Sequence, residues 1–169
     1  MMVPIVFAIS ILSMIIYQDF RERAVYWFLF PVLLIIGLWL SGQNSFEWEQ
    51  IALSFSFNII ILLSVGVYIA IKHKKIRQFI NRELGIGDIL LFFILPFFMS
   101  ALHYILFFVV TIFLSLIAGL VMSGNGDEQK TIPLAGIQSL GMIVLLGTSI
   151  FYDYDLYNEH KIVVYLFYD

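Results

Sequence analysis

Two aspartates in this sequence lie where long apolar runs meet charged or glycine-rich segments. Asp19 closely follows the apolar run 3–17, and Asp88 follows Gly85 and Gly87 at the start of another apolar run. A charged side chain inside a bilayer costs at least roughly 2.5–3.5 kcal/mol and usually faces the interior of a helix bundle. If two carboxyl groups approach within a few Å, they hold one proton between them. One can then act as general base for a water while the other donates to a carbonyl, which is metal-free peptide hydrolysis.

The two glycines before Asp88 suit this chemistry. Gly85 and Gly87 permit positive φ and close backbone approach, so an extended peptide could lie beside the carboxyl. Such a peptide needs backbone partners, because an unpaired amide at membrane depth costs several kcal/mol. The alternative is that both are ordinary loop glycines.

Each aspartate also has a simpler interpretation. Asp88 could serve only as the N-cap of the following helix, a position that favours Asp. Asp19 could be an interfacial acid that reaches the headgroups and pairs with Arg21 or Arg23.

Composition identifies the class of protein. The chain has 169 residues, of which 62% are hydrophobic and 12% charged, against roughly 25% charged in soluble domains. We therefore expect an integral membrane protein.

The absence of cysteine excludes disulfides, thiolate nucleophiles and cysteine metal sites. The net charge of −3 argues against a nucleic-acid partner, and the three scattered histidines indicate neither a metal site nor a cofactor.

The apolar runs predict an all-α polytopic membrane protein with six transmembrane helices, since a span needs about 20 residues. They cover residues 3–17, 25–40, 51–71, 89–99, 103–122 and 132–152. Cations follow the first run instead of preceding it, so we predict a retained span and no secretory signal. The chain thus divides into a six-helix core, 1–152, and an aromatic and acidic tail, 153–169. The tail's apolar patch, 162–167, is too short to span and is expected at the interface or against a partner.

The distribution of cations predicts the topology. All Lys and Arg residues except Lys161 fall in the first, third and fifth connections between the runs. The positive-inside rule makes these connections cytoplasmic and both termini extracytoplasmic, in a plasma membrane. The basic cluster 72–82 would fix this topology and bind anionic lipid headgroups. Asp19 and Asp88 then reach the same depth at the inner face.

Several polar residues in the apolar runs are expected to make hydrogen bonds between helices. They are Ser54, Ser56 and Asn58 in the third run and Gln138 and Ser139 in the sixth. Gln138 is also a candidate for contact with a bound peptide.

Three segments together resemble a known family. Gly85-Ile86-Gly87-Asp88 matches the GxGD signature of intramembrane aspartyl proteases, and its surroundings resemble the type IV prepilin peptidases, including the archaeal preflagellin peptidases. In that family the first catalytic aspartate ends the first core helix before a basic segment, as Asp19 does. The segment 132–136, Ile-Pro-Leu-Ala-Gly, is similar to the opening of the family's last helix. The resemblance covers residues 3–152.

The resemblance implies an aspartic-type endopeptidase with Asp19 and Asp88 as catalytic residues, without metal or cofactor. Its substrate would be a prepilin-like membrane protein whose short basic leader is cleaved at the cytoplasmic face, with Gly85 and Gly87 shaping the backbone around the substrate. The Cys-rich zinc-binding and N-methylating parts of larger members are absent. The resemblance therefore implies a peptidase without methyltransferase activity, with the substrate and membrane lipids as partners.

The sequence departs from the family at two places. Val25-Tyr26-Trp27 stands where many members have Ile-Pro-Asn/Asp, and Leu90 stands where many have Lys. One alternative is therefore an inactive homologue that acts as a membrane scaffold, with the tail docking a partner. A second is a small transporter that uses the acids as proton or cation sites. Against the transporter, both acids lie at one face, whereas a pathway usually needs polar groups near the midplane.

Overall fold

The computed structural model describes residues 2–43, 48–73, 85–123, 133–152 and 154–159. Within them the chain forms six α-helices and one 3-10 helix, and no strand, so the prediction of an all-α fold is confirmed. The helices are α1 (Met2–Glu22), α2 (Leu29–Gln43), α3 (Trp48–His73), α4 (Ile86–Ile94), the 3-10 helix (Leu95–Phe98), α5 (Ala101–Ser123) and α6 (Leu134–Tyr152). The basic segment 74–82, Glu83 and Leu84 lie outside the described residues.

Four of these helices, α1, α3, α5 and α6, are long and apolar enough to cross a membrane. The chain is therefore compatible with a multi-pass membrane protein. Two of the six predicted spans are shorter apolar helices, Leu29–Gln43 and Ile86–Phe98. The second run is shortened because residues 25–28 form a turn instead of the start of a helix.

The second short helix is interrupted at Pro96. Proline has no N–H to donate to the carbonyl four residues earlier, so α4 ends at Ile94 and the chain continues as a 3-10 helix. The interruption frees the backbone carbonyl of Phe92. The Asn58 side-chain amide donates to this carbonyl at 2.7 Å, and the Tyr104 hydroxyl donates to the Asn58 carbonyl oxygen at 2.7 Å. The predicted interhelical role of Asn58 is thus confirmed, and α3, α4 and α5 are joined around one buried amide.

This network leads to a prediction on stability. Replacing Asn58 with Leu removes both hydrogen bonds and leaves only the contact of 3.0 Å between the Tyr104 hydroxyl and the Phe92 carbonyl to join α4 and α5 there. We expect a loss of about 1–3 kcal/mol in the free energy of unfolding. Thermal unfolding in detergent would measure it, with Ser64→Ala as control, because the Ser64 hydroxyl only bonds within its own helix at an exposed position. Equal midpoints for the two variants would contradict the prediction.

The same prediction is wrong for Ser54 and Ser56. Ser54 donates to the carbonyl of Gln50 and Ser56 to the carbonyl of Ala52, both within the helix. The hydroxyl of a helical serine can donate its hydrogen bond to a backbone carbonyl of its own helix, whereas the longer asparagine side chain reaches a neighbouring helix.

The beginning of the tail, residues 154–159, packs against the junction between the 3-10 helix and α5. Four hydrogen bonds hold it there. Two use backbone N–H groups: Leu102 to Glu159 Oε1 at 3.1 Å and Ser100 to the Leu156 carbonyl at 2.9 Å. The other two join His103 Nε2 with the Tyr154 hydroxyl at 2.8 Å and the Tyr157 hydroxyl with the Phe97 carbonyl at 2.9 Å. This part of the tail therefore lies against the protein's own helices. The apolar patch 162–167 lies outside the described residues.

Candidate active site

Asp19 lies in the last turn of α1 and is almost completely buried, with 8% of its surface exposed. Its Oδ2 accepts a hydrogen bond of 2.6 Å from the backbone N–H of Gly136, in the first turn of α6. The first N–H groups of a helix have no partner within the helix, and the helix dipole favours a negative charge beside them. The start of α6 therefore both anchors and stabilises the Asp19 carboxylate.

Asp88 is half-buried in the first turn of α4. Its Oδ2 accepts a hydrogen bond of 3.1 Å from the backbone N–H of Gly85, and the backbone N–H of Ala135 makes a looser polar contact with the same carboxyl. Ala135 directly precedes Gly136, so two successive amides at the start of α6 each contact one acid. The structure thus brings Asp19 and Asp88 together at one helix terminus, close enough for the two carboxyls to repel each other electrostatically.

These contacts revise the simpler interpretation of each acid. The N-cap of α4 is Gly85, and Asp88 is the third residue of the helix, so Asp88 stabilises the terminus through the Gly85 N–H without being the cap. The Arg21 guanidinium donates to the Tyr17 hydroxyl and lies over its ring, so it is not the partner of Asp19. Arg23 does interact electrostatically with the Asp19 carboxylate, which offsets part of the negative charge.

Neither Gly85 nor Gly87 has positive φ in this structure. Gly85 has φ −67° and ψ 142°, an extended conformation open to other residues, so the expectation of positive φ is wrong there. Gly87 lies inside α4, and a Cβ on it would be 3.3 Å from the ring of Phe30. The close approach that Gly87 permits is therefore to the buried start of α2.

The importance of Gly136 was missed by the sequence reasoning. A Cβ at this position would lie 2.7 Å from the ring of Phe20 and 3.0 Å from Asp19 Oδ2, both closer than such contacts normally are. Only glycine lets α6 approach the end of α1 closely enough for the amide to reach the carboxylate. Gly136 does belong to the segment Ile-Pro-Leu-Ala-Gly, which supported the family resemblance. That membership was the feature of the sequence that could have pointed to Gly136, but no structural role was assigned to it.

The residues that depart from the family pattern lie around this site. The Tyr26 N–H donates to the side-chain carbonyl of Gln18 at 3.0 Å, which ties the connection between α1 and α2 to the turn that carries Asp19. Trp27 is 75% exposed and Leu90 is 39% exposed, so neither fills the space between the acids.

An apolar cavity of about 410 Å³ lies between α3 and α5. Its walls include Phe92, one turn after Asp88 on α4, and Leu134, which directly precedes Ala135. The cavity is thus lined by residues that directly follow or precede the segments of the acid site. Among the described residues no group of three His, Asp or Glu side chains is arranged to hold a metal ion.

The site contains both sequence-predicted acids, the two glycines before Asp88 and the opening of the last helix. Charge, burial and backbone donors are thus concentrated at one end of the bundle formed by α1, α4 and α6. No model of a known protein family, no curated protein and no solved structure matches the sequence. The functional argument therefore rests on the residues and contacts of the site itself.

Proposed function

We propose that this chain is a membrane aspartyl endopeptidase of the prepilin peptidase type, which cleaves the short basic leader of a prepilin-like substrate at the cytoplasmic membrane face. The observation that carries the proposal is that Asp19 and Asp88 meet at the start of α6, where the Gly136 N–H donates to Asp19 and the Ala135 N–H lies near Asp88. A purely structural acid at a helix end needs one backbone donor. Two acids from distant parts of the chain, held side by side despite their repulsion, are typical of a catalytic pair.

In the proposed reaction the pair holds one proton. The ionised carboxylate removes a proton from water, the water oxygen attacks the scissile carbonyl carbon, and the protonated carboxyl donates to the carbonyl oxygen. The tetrahedral intermediate collapses when the C–N bond breaks and the leaving nitrogen takes the proton that the first carboxyl received from water. The second carboxylate regains a proton from a hydroxyl of the intermediate, so the pair again holds one proton. The backbone N–H groups of α6 hold the carboxyls in place throughout, and the acid and base roles of Asp19 and Asp88 are left unassigned.

The proposed orientation follows the cations. With six crossings, four by the long helices and two by the shorter apolar segments Leu29–Gln43 and Ile86–Phe98, the basic connections are cytoplasmic and both termini extracytoplasmic. Asp19 and Asp88 then lie at the inner face of a plasma membrane, where the leader of such a substrate ends. The cavity between α3 and α5 suits the apolar segment that follows the scissile bond.

A cleavage assay in membranes tests the proposal. The substrate carries a basic leader, Gly before the scissile bond and an apolar helix, and mass spectrometry locates the cut. Failure of the wild type to cleave any of several such leaders would overturn the peptidase proposal and favour the inactive scaffold.

The dependence of the rate on pH is a further prediction. The mechanism needs one protonated and one ionised carboxyl, so the rate should fall in acid, where both are protonated, and in base, where both are ionised. A bell-shaped profile of kcat/KM is therefore expected. A rate that rises steadily through the alkaline range would point to a different base and contradict the shared proton.

A further inference from the structure

Two buried polar side chains lie on α6 shortly after the amides that hold the acids. Gln138 and Ser139 are each 0% exposed, and the side-chain nitrogen and oxygen of Gln138 and the hydroxyl of Ser139 have no hydrogen-bond partner in the described part of the chain. The predicted interhelical hydrogen bonds of both residues are therefore wrong. Leaving such a group buried and unpaired costs about 1–3 kcal/mol, so these atoms need an explanation.

Ser139 differs from other helical serines of this protein. Six of them donate to the backbone carbonyl four residues earlier: Ser10, Ser13, Ser54, Ser56, Ser64 and Ser115. For Ser139 that carbonyl belongs to Ala135, and the hydroxyl does not bond to it. The hydroxyl therefore lacks the hydrogen bond that satisfies the other six.

Helix geometry places Ser139 behind the acid pair. Successive residues are about 100° apart, so the Ser139 side chain lies about 40° from that of Ala135 and about 60° from that of Gly136. The Cβ direction of Gly136 points at Asp19 Oδ2. Side chains of a helix also lean toward its N-terminus, so Ser139 leans over the turn that contacts the carboxyls.

We propose that Ser139 and Gln138 form a polar site behind the acid pair that binds one water molecule, which hydrogen-bonds to the pair and positions its carboxyls. A buried water usually makes about three hydrogen bonds to otherwise unsatisfied groups. The Ser139 hydroxyl, the Gln138 amide and a carboxyl oxygen supply that number. Both are positioning residues that act through the water and do not touch the substrate.

Infrared spectroscopy of the purified full-length chain tests this site without any substrate. The carboxyl bands of the pair are assigned from difference spectra of Asp19→Asn and Asp88→Asn and followed over pH. Ser139→Ala and Gln138→Leu are each expected to shift the pH midpoint of these bands by about one unit, because a hydrogen bond to one protonation state is lost. Ser115→Ala is the matched control: it removes a buried serine hydroxyl that bonds within its own helix, and it should leave the midpoint unchanged.

Two further readouts separate positioning from a structural role. Removing the Ser139 hydroxyl should lower the unfolding temperature no more than Ser115→Ala does, since each variant loses one hydrogen bond of a buried hydroxyl. In the cleavage assay kcat should fall by about tenfold while KM is unchanged, because the substrate is not touched. This expectation rests on the proposed function, whereas the infrared shift does not.

The outcomes are distinct. An unchanged carboxyl midpoint in both Ser139→Ala and Gln138→Leu overturns the water site, whatever the cleavage assay gives. A shifted midpoint in a protein that cleaves no substrate supports the site and removes only the peptidase proposal. A shift of equal size in Ser115→Ala would show a general effect of losing a buried hydroxyl and would also overturn the inference.

Discussion

Replacing Asp19 or Asp88 with Asn is expected to lower the rate of leader cleavage by about 10²–10⁴-fold, the range attributed to general acid–base catalysis. The asparagine oxygen can still accept the hydrogen bond that each carboxyl now accepts, so the α1 and α4 contacts with α6 keep their geometry. What is lost is the ability to take a proton from water or to give one to the scissile carbonyl. The assay in membranes with the basic-leader substrate measures the effect.

A matched control lies on the same helix. Glu22 is an exposed acid at the end of α1 and is not part of the pair, so Glu22→Gln should retain the wild-type rate. Because the two aspartates act as a unit, the double variant Asp19→Asn, Asp88→Asn should be no slower than the slower single variant. Full activity of this double variant would exclude catalysis by the pair and favour the scaffold interpretation.

That Asp19 and Asp88 lie near each other could be expected from the sequence, because hydropathy and cation distribution assign both acids to helix ends on one side of the bundle. That argument uses only the free-energy cost of moving a charged side chain into a bilayer. This cost depends on the type of each residue and can be read from the sequence without knowing its contacts. These sequence features put Asp19 and Asp88 at the same level without stating what holds them. The backbone donors of Ala135 and Gly136 could not be found in this way, since a backbone amide has no signature in the sequence.

Packing explains the remaining differences. The length of α4 depends on Pro96, whose effect is tolerated because Asn58 from another helix reaches the freed carbonyl. A glycine in a sequence shows only that a Cβ is absent, and it does not distinguish a left-handed turn from a close contact. Gly87 and Gly136 both serve close contacts, and in each case the partner is far away in the chain.

The close contact at Gly136 leads to the second large effect. In Gly136→Val the added carbons would meet the ring of Phe20 and the Asp19 carboxylate, where a Cβ alone already lies at 2.7 Å and 3.0 Å. Phe20 is half-exposed and its ring can turn aside, but Asp19 is buried and the helices must separate. We expect overpacking to cost about 1–3 kcal/mol in the free energy of unfolding. Cleavage should fall by about 10²-fold, since a displacement of about 1 Å in a catalytic group has that effect.

Gly147 provides the control on the same helix, because a Cβ there meets nothing within 4 Å. Gly147→Val changes the same residue type in α6 and should retain both the unfolding temperature and the cleavage rate. Gly136→Ala should fall between wild type and Gly136→Val, because its single carbon displaces the carboxylate less. If Gly136→Val cleaved as fast as Gly147→Val, the hydrogen bond between the Gly136 amide and Asp19 would not be needed for catalysis. The start of α6 would then only pack against α1, and the acid pair would have to be held by α4 and Arg23.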